Sequence, residues 1–281
     1  MAKKGSGKGQ KLLRLDAELV KRKIARSREH AQEMIKAGRV TVNGMRATKP
    51  ATGVTGEVSI KVIESDDDRW ASRGAHKLLG ALEAFEPQGL SLRDKFILDA
   101  GASTGGFTDV CLDRGARKVA AVDVGYGQLV WRLQDDARVD VHDRTNVRTL
   151  TPDILGGQAD LMVGDLSFIS ITLVLPAIAA CLREGADLLP MVKPQFEVGK
   201  DRLGHGGVVR SPELREEVTL TVAREAMKYG LSTKSVVASP LPGPSGNVEY
   251  FLWLVKDGGA CAPTDDELVG MVRQAVKEGP Q

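Results

Sequence analysis

Apolar positions recur at helical spacing from Leu12 to Ile24, through Leu15, Leu19 and Val20, and Ser27 is placed to cap a second helix that ends at Gly38. Arg39-Val40-Thr41-Val42, then Asn43-Gly44, then Met45-Arg46-Ala47-Thr48 reads as a β-hairpin, because Asn-Gly accepts the two left-handed conformations of a type I′ turn. Val54 to Val62 supplies one or two more strands, and the acidic run Glu64 to Asp68 marks a boundary near residue 65. Beyond it the pattern becomes an alternation. Strands are expected at Phe96 to Ala100, Lys118 to Asp123, Asp160 to Asp165, Ala186 to Lys193, Ser232 to Ala238 and Val248 to Val255. Helices are expected around Ser72 to Phe85, Gly106 to Asp113, Ile171 to Leu182 and Ser211 to Tyr229, the last opened by Ser211-Pro212 at the N-cap and N1 positions.

That alternation predicts an α/β domain with a mostly parallel sheet covered by helices on both faces. Ser239 to Gly246 is too short for a crossover helix, so the final strand should run antiparallel. The expected organisation is a flexible basic tail (1–11), a small α+β domain (12–64), a linker (65–74), the α/β domain (75–258) and a C-terminal tail or helix (259–281).

Composition narrows the function. The chain has 281 residues, 42% of them hydrophobic and 27% charged, which suits a globular protein. Its longest mainly apolar stretch, Ile171 to Leu182, is interrupted by Thr172 and Pro176 and falls short of the roughly 20 residues of a membrane-spanning helix. MAKKGSGKGQ leads into no apolar signal region, so a cytoplasmic location is expected. Cys111, Cys181 and Cys261 form neither a disulfide framework nor metal-ligand spacing, and His30, His76, His142 and His205 share none either, so no metal is expected. The net charge of +2 conceals an asymmetry: residues 1–62 carry 15 Lys/Arg against 5 Asp/Glu, and the rest carries 24 against 32. A basic front on an acidic body points to a module that meets a polyanion.

Lys21, Arg22, Lys23, Arg26, Arg28, Lys36, Arg39 and Arg46 are the candidate RNA-binding cations, with almost no aromatic residue among them for base stacking. RKIARSREHAQEMIKAGRVTVNGMRATKP resembles the RNA-binding domain typified by ribosomal protein S-four. Recognition of structured RNA through shape and phosphates is what this implies.

In the body, Phe96 to Thr108 is a buried strand, a glycine turn (Gly101, Ser103, Gly105, Gly106) and a helix opened by Gly106-Phe107. The spacing is neither GxGxxG nor a phosphate loop, which argues against a dinucleotide or nucleoside triphosphate. Asp123 ends the next strand, where an acid accepts hydrogen bonds from ribose hydroxyls of a nucleoside cofactor. DAGASTGGFT followed by Asp123 resembles the first two motifs of S-adenosylmethionine-dependent methyltransferases, the FtsJ-like group in particular, whose sheet is Rossmann-like. The resemblance implies S-adenosyl-L-methionine as cofactor, held by Gly101, Ser103, Gly105, Gly106, Phe107, Asp123 and Asp165, with Asp143 at the adenine.

Lys77, Asp165, Lys193 and Glu249 stand in the order of the Lys-Asp-Lys-Glu tetrad of FtsJ-like RNA 2′-O-methyltransferases. A ribose hydroxyl is a poor nucleophile until its proton is withdrawn. Lys193 is assigned as the base, Lys77 as the neighbouring cation that favours its neutral form, Asp165 as the group that holds the lysines, and Glu249 as the group that orients Lys77 or the ribose hydroxyl. Sequence does not decide which lysine takes the proton. Glu197 to Arg210, with four glycines and Lys200, Arg202, His205 and Arg210, reads either as a mobile basic flap over the substrate or as a long surface loop.

Over residues 12–256 the motifs LDAGASTGGFT, DVGYGQL, GDLSFIS, VKPQFEVGK and GGVVR resemble the TlyA family, also labelled hemolysin A. The resemblance implies 2′-O-methylation of cytidine in 16S and, in some members, 23S rRNA within ribosomal subunits, a modification linked to capreomycin susceptibility, with no membrane and no obligate protein partner. A non-catalytic ribosome-assembly factor and a membrane-lytic hemolysin are the two alternatives.

Overall fold

The computed structural model describes residues 12–63, 69–243 and 245–280, with the side chain of His205 excepted. The expected basic tail and the acidic run 64–68 lie outside the described residues. The chain divides into two compact units, residues 1–69 and 70–281.

In the first unit, β1 (Leu13–Arg14), α1 (Leu15–Lys21), α2 (Arg28–Lys36), β2 (Val40–Val42), β3 (Met45–Arg46), β4 (Gly53–Val54) and β5 (Ile60–Val62) enclose a core built on Leu15, Leu19, Ala31, Met34, Ile35 and Val40. The first helix is shorter than its apolar spacing suggested, because the chain turns at Arg22 and Lys23 takes a left-handed φ of 58°. Ser27 Oγ accepts from His30 N at 3.1 Å and caps α2 as expected. Asn43 and Gly44 have φ of 50° and 81°, and β2 pairs antiparallel with β3 across them.

The second unit contains α3 (Gly74–Phe85), β6 (Phe96–Ala100), α4 (Gly106–Asp113), β7 (Lys118–Val122), α5 (Trp131–Gln134), β8 (Val139–His142), α6 (Pro152–Leu155), β9 (Ala159–Gly164), α7 (Leu175–Ala180), β10 (Leu182–Val192), α8 (Pro194–Glu197), α9 (Pro212–Met227), β11 (Leu231–Ala238), β12 (Tyr250–Lys256) and α10 (Asp265–Glu278). The sheet order is β11-β12-β10-β9-β6-β7-β8. Five strands from β10 to β8 run parallel, and β12 enters antiparallel between β10 and β11.

The central strands are apolar at successive positions because the sheet is covered on both faces. Leu98, Ala120, Met162 and Leu188 point into one core, while Ile97, Val119, Leu161 and Leu189 point into the other. Fully burying each large aliphatic side chain contributes about 1.5–3 kcal/mol. The apolar run at Ile171 is not one long helix: it makes a single 3-10 turn and the short α7, and Leu182 already belongs to β10. Trp70 and Ala71, assigned by sequence to the linker, are buried in the second core, where the Ala71 N–H donates to Asp109 Oδ2 at 2.8 Å.

Chain order reverses between β6 and β9, the place in an open α/β sheet where ligands bind at the carboxyl ends of the strands. The antiparallel sense of β12 pairs Tyr250 with Val192, so the start of β12 lies beside the end of β10. Elements far apart in sequence thereby end at one rim.

Candidate active site

At that rim the structure brings together Lys77, Asp165, Lys193 and Glu249. Lys77 projects from α3, Asp165 follows β9, Lys193 follows β10 and Glu249 precedes β12. Lys77 Nζ donates to Glu249 Oε2 at 2.6 Å and lies 3.9 Å from Asp165 Oδ2. Lys193 Nζ lies 2.5 Å from Asp165 Oδ1 and donates to Ser167 Oγ at 2.7 Å. Glu249 is 1% exposed, Lys193 6% and Lys77 8%. Charges so buried persist only when paired. Asp165 therefore bridges two cations whose other partners differ: a second carboxylate for Lys77, a neutral hydroxyl for Lys193.

Four residues without an assigned role in the sequence reading complete this arrangement. Gln195 Nε2 donates to the other oxygen of Glu249 at 3.4 Å. Glu197 accepts from Ser170 Oγ at 2.6 Å and from the Ile171 N–H at 2.8 Å, tying the loop after β9 to α8. Burial raises the Glu197 carboxyl above the usual carboxylate range. Asn247, 2% exposed, accepts from the Val209 N–H at 2.8 Å and donates to the Gly207 carbonyl at 2.9 Å. Ser167 is the fourth. The segment 197–210 is thus anchored at both ends, by Glu197 and by Asn247, and contains 3-10 turns at Lys200–Arg202 and His205–Gly207. For Ser167, Gln195 and Glu197 the sequence signals were the GDLSFIS and VKPQFEVGK motifs, which mark the segments without saying which side chains meet; Asn247 lies in neither.

A cavity of about 830 Å³ opens beside the tetrad, with Lys193, Glu249, Ser167, Phe168, Gln195 and Lys200 in its wall. Phe168 is 91% exposed and holds a φ of 64°, a left-handed conformation that is rare for an aromatic residue. Its ring packs on Phe196 with centroids 5.2 Å apart.

The glycine turn lies at the strand-order reversal. A Cβ on Gly101 would stand 3.1 Å from the Asp165 carbonyl, so the ends of β6 and β9 meet there without room for a side chain. Asp123 accepts from the Ser103 N–H at 2.8 Å and from the Gly125 N–H at 2.7 Å, which fixes its carboxylate at the end of β7. Asp143 accepts from the Gly127 N–H at 2.9 Å. Asp99 is fully buried; its Oδ2 accepts from Thr108 Oγ1 at 2.6 Å, its Oδ1 has no partner, and burial pushes the carboxyl up to about 7. Asp123 and Asp143, fixed by backbone N–H groups beside this close-packed turn, fit the polar groups of a nucleoside, whereas Asp99 is too buried to reach one. Phe107, at the second position of α4, is 3% exposed and its ring meets Phe251 at 6.0 Å, which leaves its backbone as the part at the turn.

Gly105, with φ of 101°, caps α4, and a Cβ there would stand 2.3 Å from Leu133 Cδ1 and 2.8 Å from Leu129 Cδ1. Gly105→Ala is expected to cost about 1–2 kcal/mol from backbone strain alone, which thermal unfolding checks.

In the first unit, Lys21, Lys23, Arg28, Lys36 and Arg46 are exposed, and Arg22, Arg26 and Arg39 are half-buried. Arg22 pairs with Glu18 at 2.8 Å and donates to the Val58 and Gly56 carbonyls, and Arg39 donates to the Ile63 carbonyl, so both also hold the fold. Arg28 lies 3.3 Å from Asp16, whose carboxyl is held far below the usual range, chiefly by its hydrogen bonds from Arg14.

A family model described as FtsJ-like methyltransferase matches residues 70–256, and one described as S4 domain matches residues 13–60. A relative from Mycobacterium tuberculosis named 16S/23S rRNA (cytidine-2′-O)-methyltransferase TlyA is 54% identical over 95% of this chain and 98% of its own. Hemolysin A of Brachyspira hyodysenteriae is 36% identical over 85% of this chain and 98% of its own. A solved structure bearing a hemolysin name, from Streptococcus thermophilus, superposes with a TM-score of 0.74 at 38% identity, covering 96% of this chain and 98% of that one. Among the described residues no helix is long and apolar enough to cross a membrane.

Proposed function

The chain belongs to the FtsJ-like methyltransferases and, within them, to the TlyA family, and from that premise we propose that it methylates the 2′-hydroxyl of cytidine in 16S rRNA, and also in 23S rRNA, with S-adenosylmethionine as methyl donor and ribosomal subunits as substrate. The observation that carries this reading is the arrangement of Lys193 and Lys77 on the two oxygens of Asp165 at the strand rim.

Gly101, Ser103, Gly105 and Gly106 would hold the cofactor through backbone, with Asp123 at its ribose, Asp143 at its adenine and Asp165 near its methyl-donor end. S-adenosylmethionine supplies a methyl group on a positively charged sulfur, open to in-line attack by oxygen. Lys77, with a carboxylate on two sides, is the fixed cation that stabilises developing alkoxide charge. Lys193, with one carboxylate and one hydroxyl, is the amine that takes the ribose proton. Glu249 fixes Lys77. The exposed cations of the first unit, Lys21, Lys23, Arg28, Lys36 and Arg46, meet RNA phosphates. The work of such a protein lies in the cytoplasm, where its substrate is assembled.

Transfer of labelled methyl to purified 30S and 50S subunits lacking the modification, followed by nucleoside analysis, tests the reading. Label at a cytidine ribose supports it; label on a base or none on any RNA overturns it. The exposed Phe168 ring at the cavity suits stacking on the target base. Loss of one such stack costs about 1–3 kcal/mol, so Phe168→Ala is expected to raise KM for RNA by about 5- to 150-fold on that account. Cofactor affinity should stay unchanged.

A further inference from the structure

We infer that Ser167 is a positioning residue that aims the Lys193 amine at the substrate hydroxyl. The inference rests on the assignment of Lys193 as the base. An amine nitrogen bonded to Cε has three remaining tetrahedral positions. In this structure Ser167 Oγ, at 2.7 Å, takes one of them as a hydrogen-bond acceptor, and Asp165 Oδ1 lies 2.5 Å away as an ion-pair contact outside hydrogen-bond alignment. In the neutral amine the bond to Ser167 takes one N–H and so limits the directions open to the lone pair. Lys193, Ser167 and Glu249 share the wall of the 830 Å³ cavity, which is where a ribose hydroxyl can meet that lone pair.

The chemistry favours a hydroxyl at this place. A second carboxylate would add another negative charge beside the amine and favour its charged form, and an apolar side chain would remove the acceptor that sets the rotation of its N–H bonds about Cε–Nζ. A serine accepts one N–H without adding charge. Its own position is fixed from both sides. The Asp165 N–H donates to the Ala100 carbonyl at 3.1 Å, and beyond Phe168 the loop is held to Glu197 through Ser170 and Ile171. The proton moves from the ribose O–H to Lys193 Nζ as the oxygen bonds to the methyl carbon and the carbon–sulfur bond of the donor breaks. Ser167 neither gains nor loses a proton.

Single-turnover and steady-state kinetics of Ser167→Ala, Ser167→Thr and Lys193→Ala test the assignment, together with NMR of the cofactor-free full-length protein carrying ¹³Cε-lysine. Ser167→Ala is expected to lower kcat by about 10-fold, the worth of one hydrogen bond, with KM for RNA and affinity for S-adenosylhomocysteine little changed. Ser167→Thr, which keeps the hydroxyl, should restore most of the rate. The two ε-methylene protons of Lys193, inequivalent while the amine is held, should converge in Ser167→Ala and stay distinct in Ser167→Thr. If Lys193→Ala is inactive while Ser167→Ala keeps wild-type kcat, or raises only KM, the positioning role is overturned and the base assignment stands. If Lys193→Ala retains wild-type turnover, the base assignment itself falls, and the role of Ser167 with it.

Discussion

Lys193→Ala is expected to reduce methyl transfer to ribosomal RNA by about 100- to 10,000-fold, the usual worth of a placed general base, while cofactor and RNA affinities stay close to those of the wild type. The reason is positional. Lys193 follows β10, is 6% exposed, and has its amine shared between Asp165 and Ser167. Alanine removes the proton acceptor and leaves Asp165 still engaged by Lys77 at 3.9 Å, so the fold loses one arm of the bridge and keeps the other. Lys193→Arg should be nearly as inactive, since guanidinium does not deprotonate in a protein. Labelled-methyl transfer under single-turnover conditions reads the chemical step directly. A variant with alanine here and undiminished transfer would remove Lys193 from the mechanism.

Glu249→Ala is expected to act first on stability. Glu249 is 1% exposed and accepts from Lys77 Nζ at 2.6 Å; without it the buried ammonium keeps only Asp165, at 3.9 Å. Breaking a buried ion pair by removing one partner costs about 3–5 kcal/mol. Part of the loss is offset by Asp165, so the low end, about 3 kcal/mol, is expected. In a unit of this size that lowers the melting temperature by roughly 6–12 °C. Glu249→Gln keeps the shape and one acceptor and should lose less. Double replacement with Lys77→Met should recover part of the stability and none of the activity, because it removes the stranded charge along with the cation. Calorimetric melting of the wild type, Glu249→Ala, Lys77→Met and the double variant measures the coupling, and an unchanged melting temperature in Glu249→Ala would show that the pair contributes nothing to the fold.

Much of this architecture was legible in the sequence, and the misses have identifiable causes. The central strands announced themselves because both faces are covered: Ile97 and Leu98 sit in opposite cores, so no polar position interrupts the run. Val139–His142, absent from the expected strands, is an edge strand of half-buried and exposed positions with no apolar run to mark it. The stretch from Ile171 was read as one long helix because a short apolar run does not distinguish a helix from the strand that begins at Leu182. The helix Asp265–Glu278 carried a stronger signal than its reading as a tail or helix used: Thr264 and Glu267 form a reciprocal capping box.

The tetrad was visible through the order of its residues, but its geometry was not. Ser167 meets Lys193 across 26 positions, and the left-handed Phe168 that follows it is a conformation nothing in the letter Phe signals. Glu197 is a second instance. Its partners, Ser170 and Ile171, lie more than twenty residues earlier, so its role depends on tertiary closure that periodicity does not carry.

The insertion of β12 between β10 and β11 also dictates when the enzyme becomes an enzyme. Lys77 and Glu249 are separated by 172 positions, and Glu249 is synthesised after β10 and β11, the two strands that flank β12. A nascent chain halted before residue 249 therefore holds a glycine turn and both lysines without the carboxylate that steadies one of them. Contacts of such long sequence separation are slow to form. Synthesis itself thus delays competence, and newly made protein should gain methyl-transfer activity only after its C-terminal strand has docked.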